Sequence, residues 1–195
     1  ETRKWVRRLP LPTIVDPPCS GRVDNAGHGA ESRRGRLYLF LRYFTTSQRC
    51  WVALLHCTGG DTLRQLALED DVLTFAVNNG KGAAPGGTAD GEITLNLTSG
   101  ISKVKNGQWN QLALVRDGDA FTLYLNGEAV DTAERAGIDQ TANEHAMWLG
   151  AYINNAGGEP TACFSGLMDE VKIYNAVRTA EQIKTEYTAL LPEQP

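Results

Sequence analysis

The sequence predicts an all-β sandwich closed by one short helix, and three observations carry that prediction. From about residue 37 onward, apolar and polar residues alternate in short runs, the period of half-buried strands. Clusters of Gly, Asn and Asp separate these runs at close intervals, as in a sandwich. Only "TAEQIKTEYTALL" near the end changes to helical spacing, with Ile183, Tyr187 and Leu190 on one side.

Residues 1–36 come first and have no periodicity. They are rich in Pro and Arg, include "DNAGHGAESRRG", and are expected to be mostly irregular. The sandwich is expected over 37–191. It begins with "RLYLFLRYF", "CWVALLHC", "LRQLALED" and "VLTFAVNNG". The stretch "GKGAAPGGTADG" at 80–91 is too rich in Gly for an element and reads as a surface loop. "EITLNLTSG", "WNQLALVRDG", "AFTLYLNGEAV" and "MWLGAYI" follow. The clearest hairpin is "RDGDAFTLYLNGEAV": Phe121, Leu123 and Leu125 share a face, with Asp117-Gly118 and Asn126-Gly127 as tight-turn signals at its ends. Thr179 with Gln182 forms a capping-box pattern ahead of the helix, and "PEQP" at 192–195 reads as a tail.

The strand "FSGLMDEVKIY" poses a physical question. Leu167, Val171 and Ile173 share one parity and imply an inward face. Asp169 has that same parity, and a buried carboxylate without a partner costs several kcal/mol. A hard cation, a strand arginine, or backbone amides at a bulge would each satisfy it.

Bulk properties exclude several classes. With 42% hydrophobic and 22% charged residues, the composition suits a soluble globular domain. No apolar run approaches the roughly 18–20 residues that span a membrane. The opening Glu-Thr-Arg-Lys lacks a secretory pattern, as expected of a mature form or a piece of a longer protein. The net charge of −4 conceals a basic start: residues 1–49 balance at +6 and the remainder at −10. These basic residues are scattered, with no interleaved aromatics to stack bases, so no nucleic-acid partner is expected. Cys19, Cys50, Cys57 and Cys163 contain no Cys-x-x-Cys pair and leave both disulfides and free thiols open.

The carboxy-terminal half brings a resemblance into view. "GQWNQLALVRDGDAFTLYLNGEAV", "MWLGAY" and "FSGLMDEVKIYNAVRTAEQIKTEY" closely resemble the laminin-G-like, concanavalin A-like lectin/glucanase domains. Trp109, Tyr124, Asn126, Gly127, Gly150, Phe164, Gly166, Asp169, Glu170, Ile173, Tyr174 and Ile183 fit the family's places in order. The match is specific over about 105–187 and weaker over 45–104, and the family's opening Phe-x-Gly strand is not found upstream. The resemblance implies a jelly-roll sandwich of two antiparallel sheets. It also implies a structural calcium at Asp169, with Trp109 and Trp148 in core places.

This architecture carries both lectins and hydrolases, so the residues must decide. The Glu-x-Asp-x-x-Glu motif of the related glucanases has one near match, "EDDVLT", where Thr74 replaces the second Glu after Glu69 and Asp71. There is no His-Glu-x-x-His or Gly-x-Ser-x-Gly motif, and "CTGGDT" lacks the Lys of a phosphate loop. His56 lies inside an apolar strand and reads as a packed residue. Tyr152 leaves a strand beside Asn154 and Asn155, an aromatic next to two amides that suits a sugar contact. Asn78 and Asn79 form a second candidate set, and "NLT" at 96–98 is a short glycosylation match.

The expected function is a non-catalytic, lectin-like domain binding a poly- or oligosaccharide. It would work outside the cytoplasm as an accessory to a polysaccharide-processing protein. A hydrolase or lyase with another carboxylate pair, and a protein-binding adhesion module, are the alternatives.

Overall fold

Strands that are apolar on one side need a second sheet to cover that side, and the chain supplies two. The computed structural model describes residues 13–15, 22–23, 36–45, 52–59, 62–78, 93–102, 104–138, 147–152, 162–174 and 176–190. The described strands are β1 (Thr13–Val15), β2 (Arg22–Val23), β3 (Arg36–Phe44), β4 (Val52–Gly59), β5 (Thr62–Glu69) and β6 (Val72–Asn78). Then come β7 (Thr94–Thr98), β8 (Trp109–Asp117), β9 (Ala120–Leu125), β10 (Glu128–Glu134), β11 (Met147–Leu149) and β12 (Gly166–Tyr174), followed by α1 (Ala180–Ala189). The first sheet has the order β1-β12-β3-β8-β9-β10 and the second β2-β11-β4-β5-β6-β7. Their pairings are antiparallel, and the whole is the expected jelly-roll sandwich.

Two hairpin turns are set by residues that tolerate positive φ. Asp70 and Asp71 have φ of 47° and 64°, and Asn126 and Gly127 have 54° and 79°. Positive φ at both central residues twists a two-residue turn to match its strands. The β5–β6 turn splits the "EDDVLT" near match between two strands. Asp71 is held in this turn, where its Oδ1 accepts from Asn106 Nδ2 at 2.8 Å.

The main core lies between the sheets. Leu39, Leu41 and Tyr43 of β3 with Leu112 and Leu114 of β8 pack against Leu66, Leu68, Leu73 and Phe75. A second apolar layer forms on the other side of the first sheet. There Tyr38, Phe40, Ala113, Val115 and Tyr124 are covered by Ile183 of α1. Burying that one side chain fully stabilises the docked helix by about 1.5–3 kcal/mol. The capping box holds the helix start: Gln182 N donates to Thr179 Oγ1 at 3.2 Å and Thr179 N to Gln182 Oε1 at 3.0 Å. The helix sits close to the β9–β10 turn, since a Cβ on Gly127 would lie 3.0 Å from Tyr187 Cδ1.

The segment expected to be irregular contributes an outer strand to each sheet. β1 pairs with β12 and β2 with β11. Strands of three and two residues are too short to carry a readable alternation.

The parity of the last strand is corrected by a bulge. Asp169 stands opposite Arg42 and Lys172 opposite Phe40, so Glu170 and Val171 together oppose one residue of β3. Glu170 takes φ of 55° to make the extra residue fit. The inward set is therefore Met168 before the bulge and Val171 after it. Asp169 is on the outward face, not in the core. Its Oδ1 accepts the Glu170 N–H at 2.7 Å, the bond that stabilises the bulge itself. Gly166 is needed where the strand begins, because a Cβ there would collide with the Phe44 carbonyl oxygen.

Candidate functional site

The outward face of the second sheet is built from cross-strand rows. Leu149, Leu55, Leu66, Phe75 and Leu97 pair in one row, and Leu66, Phe75, Leu97 and Leu149 are core residues. The next row, of opposite parity, runs Arg22, Trp148, His56, Gln65, Ala76, Asn96. Directly paired residues share a face, so Trp148, Gln65, Ala76 and Asn96 lie on the outer side. Trp148, Gln65 and Ala76 are half-buried and Asn96 is exposed. Thr74 and Thr98 form part of a parallel row beside them. Five strand spacings separate Arg22 from Asn96, about 24 Å.

This face is apolar in small steps and uncharged along its middle. Alanine and threonine leave the strands nearly level, amides provide both donors and acceptors, and one large aromatic ring, Trp148, stands on β11 next to the outer strand β2. Flat stacking with flanking amide hydrogen bonds is the chemistry that holds a sugar ring. Trp148 was expected in the core; it is not there, because Leu149 fills the inward place and the alternation sends its neighbour outward. Trp109 is corrected for the same reason: Leu112 and Leu114 set the inward parity of β8, leaving Trp109 half-buried on the outer side.

The other predicted residues fall as follows. Tyr152 is half-buried just beyond β11, after a turn in which Gly150 N donates to Leu54 O at 3.0 Å. The same glycine's carbonyl accepts from Phe164 N at 2.8 Å. Asn78 ends β6 opposite Thr94; it has the outward parity of Thr74 and Ala76 but is only 4% exposed. Asn79, Asn154, Asn155 and the 80–91 stretch lie outside the described residues, as does the side chain of His56. Among the described residues no group of three His, Cys, Asp or Glu side chains gathers to hold a metal. Calcium takes six to eight oxygens, and Asp169 lends one carboxylate, so the described residues by themselves do not compose a calcium site.

Carboxylates do meet under the helix. Glu170 and Glu186 flank Lys172, whose Nζ lies 2.5 Å and 3.3 Å from their oxygens, and Tyr38 donates to Glu186 at 2.9 Å. Burial, followed by the Glu186 charge, pushes the Tyr38 pKa up. Burial pulls the Lys172 pKa down, but Glu170 and Glu186 outweigh it and the net shift is upward. Tyr38 and Lys172 are thus both held protonated. This network fastens α1 to the sheet rather than setting an acid against a base.

Sequence reasoning missed Trp148 as a surface residue. The signal was available in "MWLG": adjacent residues of a strand cannot both face the core, and Leu149 has the stronger claim to it. The row joining it to Gln65, Ala76 and Asn96 depends on strand pairing and was not readable.

Comparison with known proteins agrees with this architecture. The profile of the concanavalin A-like lectin/glucanases superfamily matches residues 41–184. Among curated proteins compared by sequence, none matches the chain. The CBM40 of the Ruminococcus gnavus IT-sialidase, bound to α2,3-sialyllactose, superposes with a TM-score of 0.69 at 17% identity, covering 90% of this chain and 96% of that one. Domain 4 of an extracellular arabinanase from Geobacillus stearothermophilus, in complex with arabinotriose, gives 0.60 at 20% identity over 86% and 72%. A pentraxin from Limulus polyphemus gives 0.53 at 16% identity over 78% and 69%.

Proposed function

The chain belongs to the concanavalin A-like lectin/glucanases superfamily, and from that premise we propose that it is a non-catalytic carbohydrate-binding domain. The observation that carries the proposal is Trp148, set outward on β11, the second strand of a level, amide-bearing sheet face. An oligosaccharide lies along this row, one ring stacked on the indole and its hydroxyls bonded to Gln65 and Asn96. Tyr152, just beyond β11, is the next candidate contact, and Asn154 and Asn155 remain candidates from the sequence alone. Two structural neighbours were solved with sugars bound, a sialyllactose and an arabinotriose, which supports the ligand class.

The domain works in an extracellular or periplasmic setting, as an accessory to a polysaccharide-processing protein. Cys163 is disulfide-bonded, and disulfides persist in oxidising compartments. A calcium ion on Asp169 is a separate proposal, which requires further oxygens from outside the described residues.

The test is a glycan array followed by titration of the best ligand. Trp148→Ala should weaken binding by about 1–3 kcal/mol, by analogy with base stacking on aromatics, with little change in melting temperature. Unchanged affinity would move the site off this face.

A further inference from the structure

The row that carries Trp148 is not electrically even. Arg22 of β2 pairs with Trp148 on one side, and His56 of β4 pairs with it on the other. β2 is the outermost strand of this sheet. The row therefore opens with an arginine position, passes to the half-buried indole, and continues with a histidine position. Neighbouring strands are about 4.8 Å apart, so a ring stacked on Trp148 has these two register positions at its rim.

Negative charge on the face is confined to its far end. Among the described residues that share the face by pairing, only Arg22 is permanently cationic and only Glu69 carries a carboxylate. Glu69 lies three strand spacings across and four residues along from Arg22, about 19 Å. That is more than twice the screening length of about 8 Å at physiological salt, so Glu69 does not cancel the positive charge beside Trp148. Asp131 of β10 meets the opposite edge of the sheet. It spends its two oxygens there, on Thr98 N at 2.8 Å and Thr132 N at 2.9 Å.

The residue types divide the row by chemistry. Gln65 and Asn96 both donate and accept, as neutral hydroxyls require, whereas arginine only donates. Its planar fork matches a carboxylate, which takes two parallel bonds from it. Such charge-assisted bonds are roughly twice as strong as neutral ones. The basic surplus of residues 1–49, a balance of +6, belongs to the segment that brings β2 to this edge.

We propose that the glycan held on this face is acidic, and that the sugar unit stacked on Trp148 carries a carboxylate recognised by Arg22. The proposal rests on the reading of this face as the sugar site and names the ligand class within it. The carboxylated unit takes the β2–β11 end, and the neutral units that follow it run toward Gln65 and Asn96. A uronic acid and a sialic acid offer the same carboxylate to the same fork.

The test titrates the full chain by calorimetry with tri-galacturonic acid, a hyaluronan tetrasaccharide and sialyllactose. Each is paired with its methyl ester, which keeps the ring and removes the charge. At least one acid should bind about tenfold more tightly than its ester, and which one it is separates uronic from sialic sources. Arg22→Gln should bring that acid down to the level of its ester, Arg22→Lys should keep part of the difference, and Trp148→Ala should weaken both forms. The comparison of acid with ester needs no variant, so it stands even if Arg22→Gln does not fold. Acid and ester bound alike, with both weakened by Trp148→Ala, would overturn the acidic ligand and leave the face as the sugar site. A preference that survives Arg22→Gln, or equal affinity for lactose 6′-sulfate, would overturn the assignment of a carboxylate to Arg22. Binding indifferent to Trp148→Ala, or none by any probe, would overturn the proposal together with the face it rests on.

Discussion

Replacing Asp169 with alanine removes the carboxylate that closes the bulge in β12. Its Oδ1 accepts from Glu170 N at 2.7 Å, where Glu170 is held at a φ of 55°. Hydrogen bonds to charged groups contribute about 1.5–3 kcal/mol when well buried. Asp169 is only half-buried, so its contribution falls just below that range, about 1–1.5 kcal/mol. For a domain of this size, 1 kcal/mol shifts the melting temperature by about 2–4 °C. Asp169→Ala should therefore melt about 2–6 °C lower in chelator, measured by circular dichroism. Asp169→Asn retains an acceptor at the same place and should lose roughly half as much. An unchanged melting temperature for the alanine variant, or an equal loss for both, would refute the role assigned to the bond. Repeating the scans in calcium separates the metal: a further loss seen only with calcium present would belong to an ion on Oδ2.

Other consequences concern the helix face and the start of β12. Tyr38 and Lys172 have folded pKa values raised above their ordinary 10.0 and 10.5. Both hold protons in the folded state that the unfolded chain releases, so their contribution is complete below about pH 10 and falls as pH rises further. Urea unfolding should give lower stability at about pH 11 than at about pH 9, and Tyr38→Phe should reduce that slope. Gly166→Ala places a Cβ against the Phe44 carbonyl oxygen and the Phe164 ring. It should cost at least the 1–3 kcal/mol typical of overpacking, visible in the denaturation midpoint; a cost under about 0.5 kcal/mol would show that the strand shifts freely there.

Much of the architecture was legible because it depends on local periodicity. The alternation of Phe121, Leu123 and Leu125, the Asn126-Gly127 turn and the Thr179–Gln182 capping box each report on residues close in sequence, and each stands where expected. What was not legible depends on register. A bulge adds one residue and reverses the faces that follow, so Asp169 was assigned inward by counting from Val171 across a break that counting cannot detect. Trp148 went unrecognised because the family resemblance placed it in a core position, against the alternation of its own strand. The row that defines the candidate sugar face joins residues as distant as Gln65 and Trp148. Only pairing brings these together.

The central claim is that this domain holds glycans without cleaving them. Incubating the protein with a panel of soluble polysaccharides, and assaying the same samples for retention in affinity electrophoresis and for new reducing ends, tests it most directly. The account predicts retardation by at least one polysaccharide, relieved by Trp148→Ala, with reducing ends at the level of the protein-free control. Release of reducing sugar that a single Asp or Glu substitution abolishes, or migration indifferent to every polysaccharide, would contradict it.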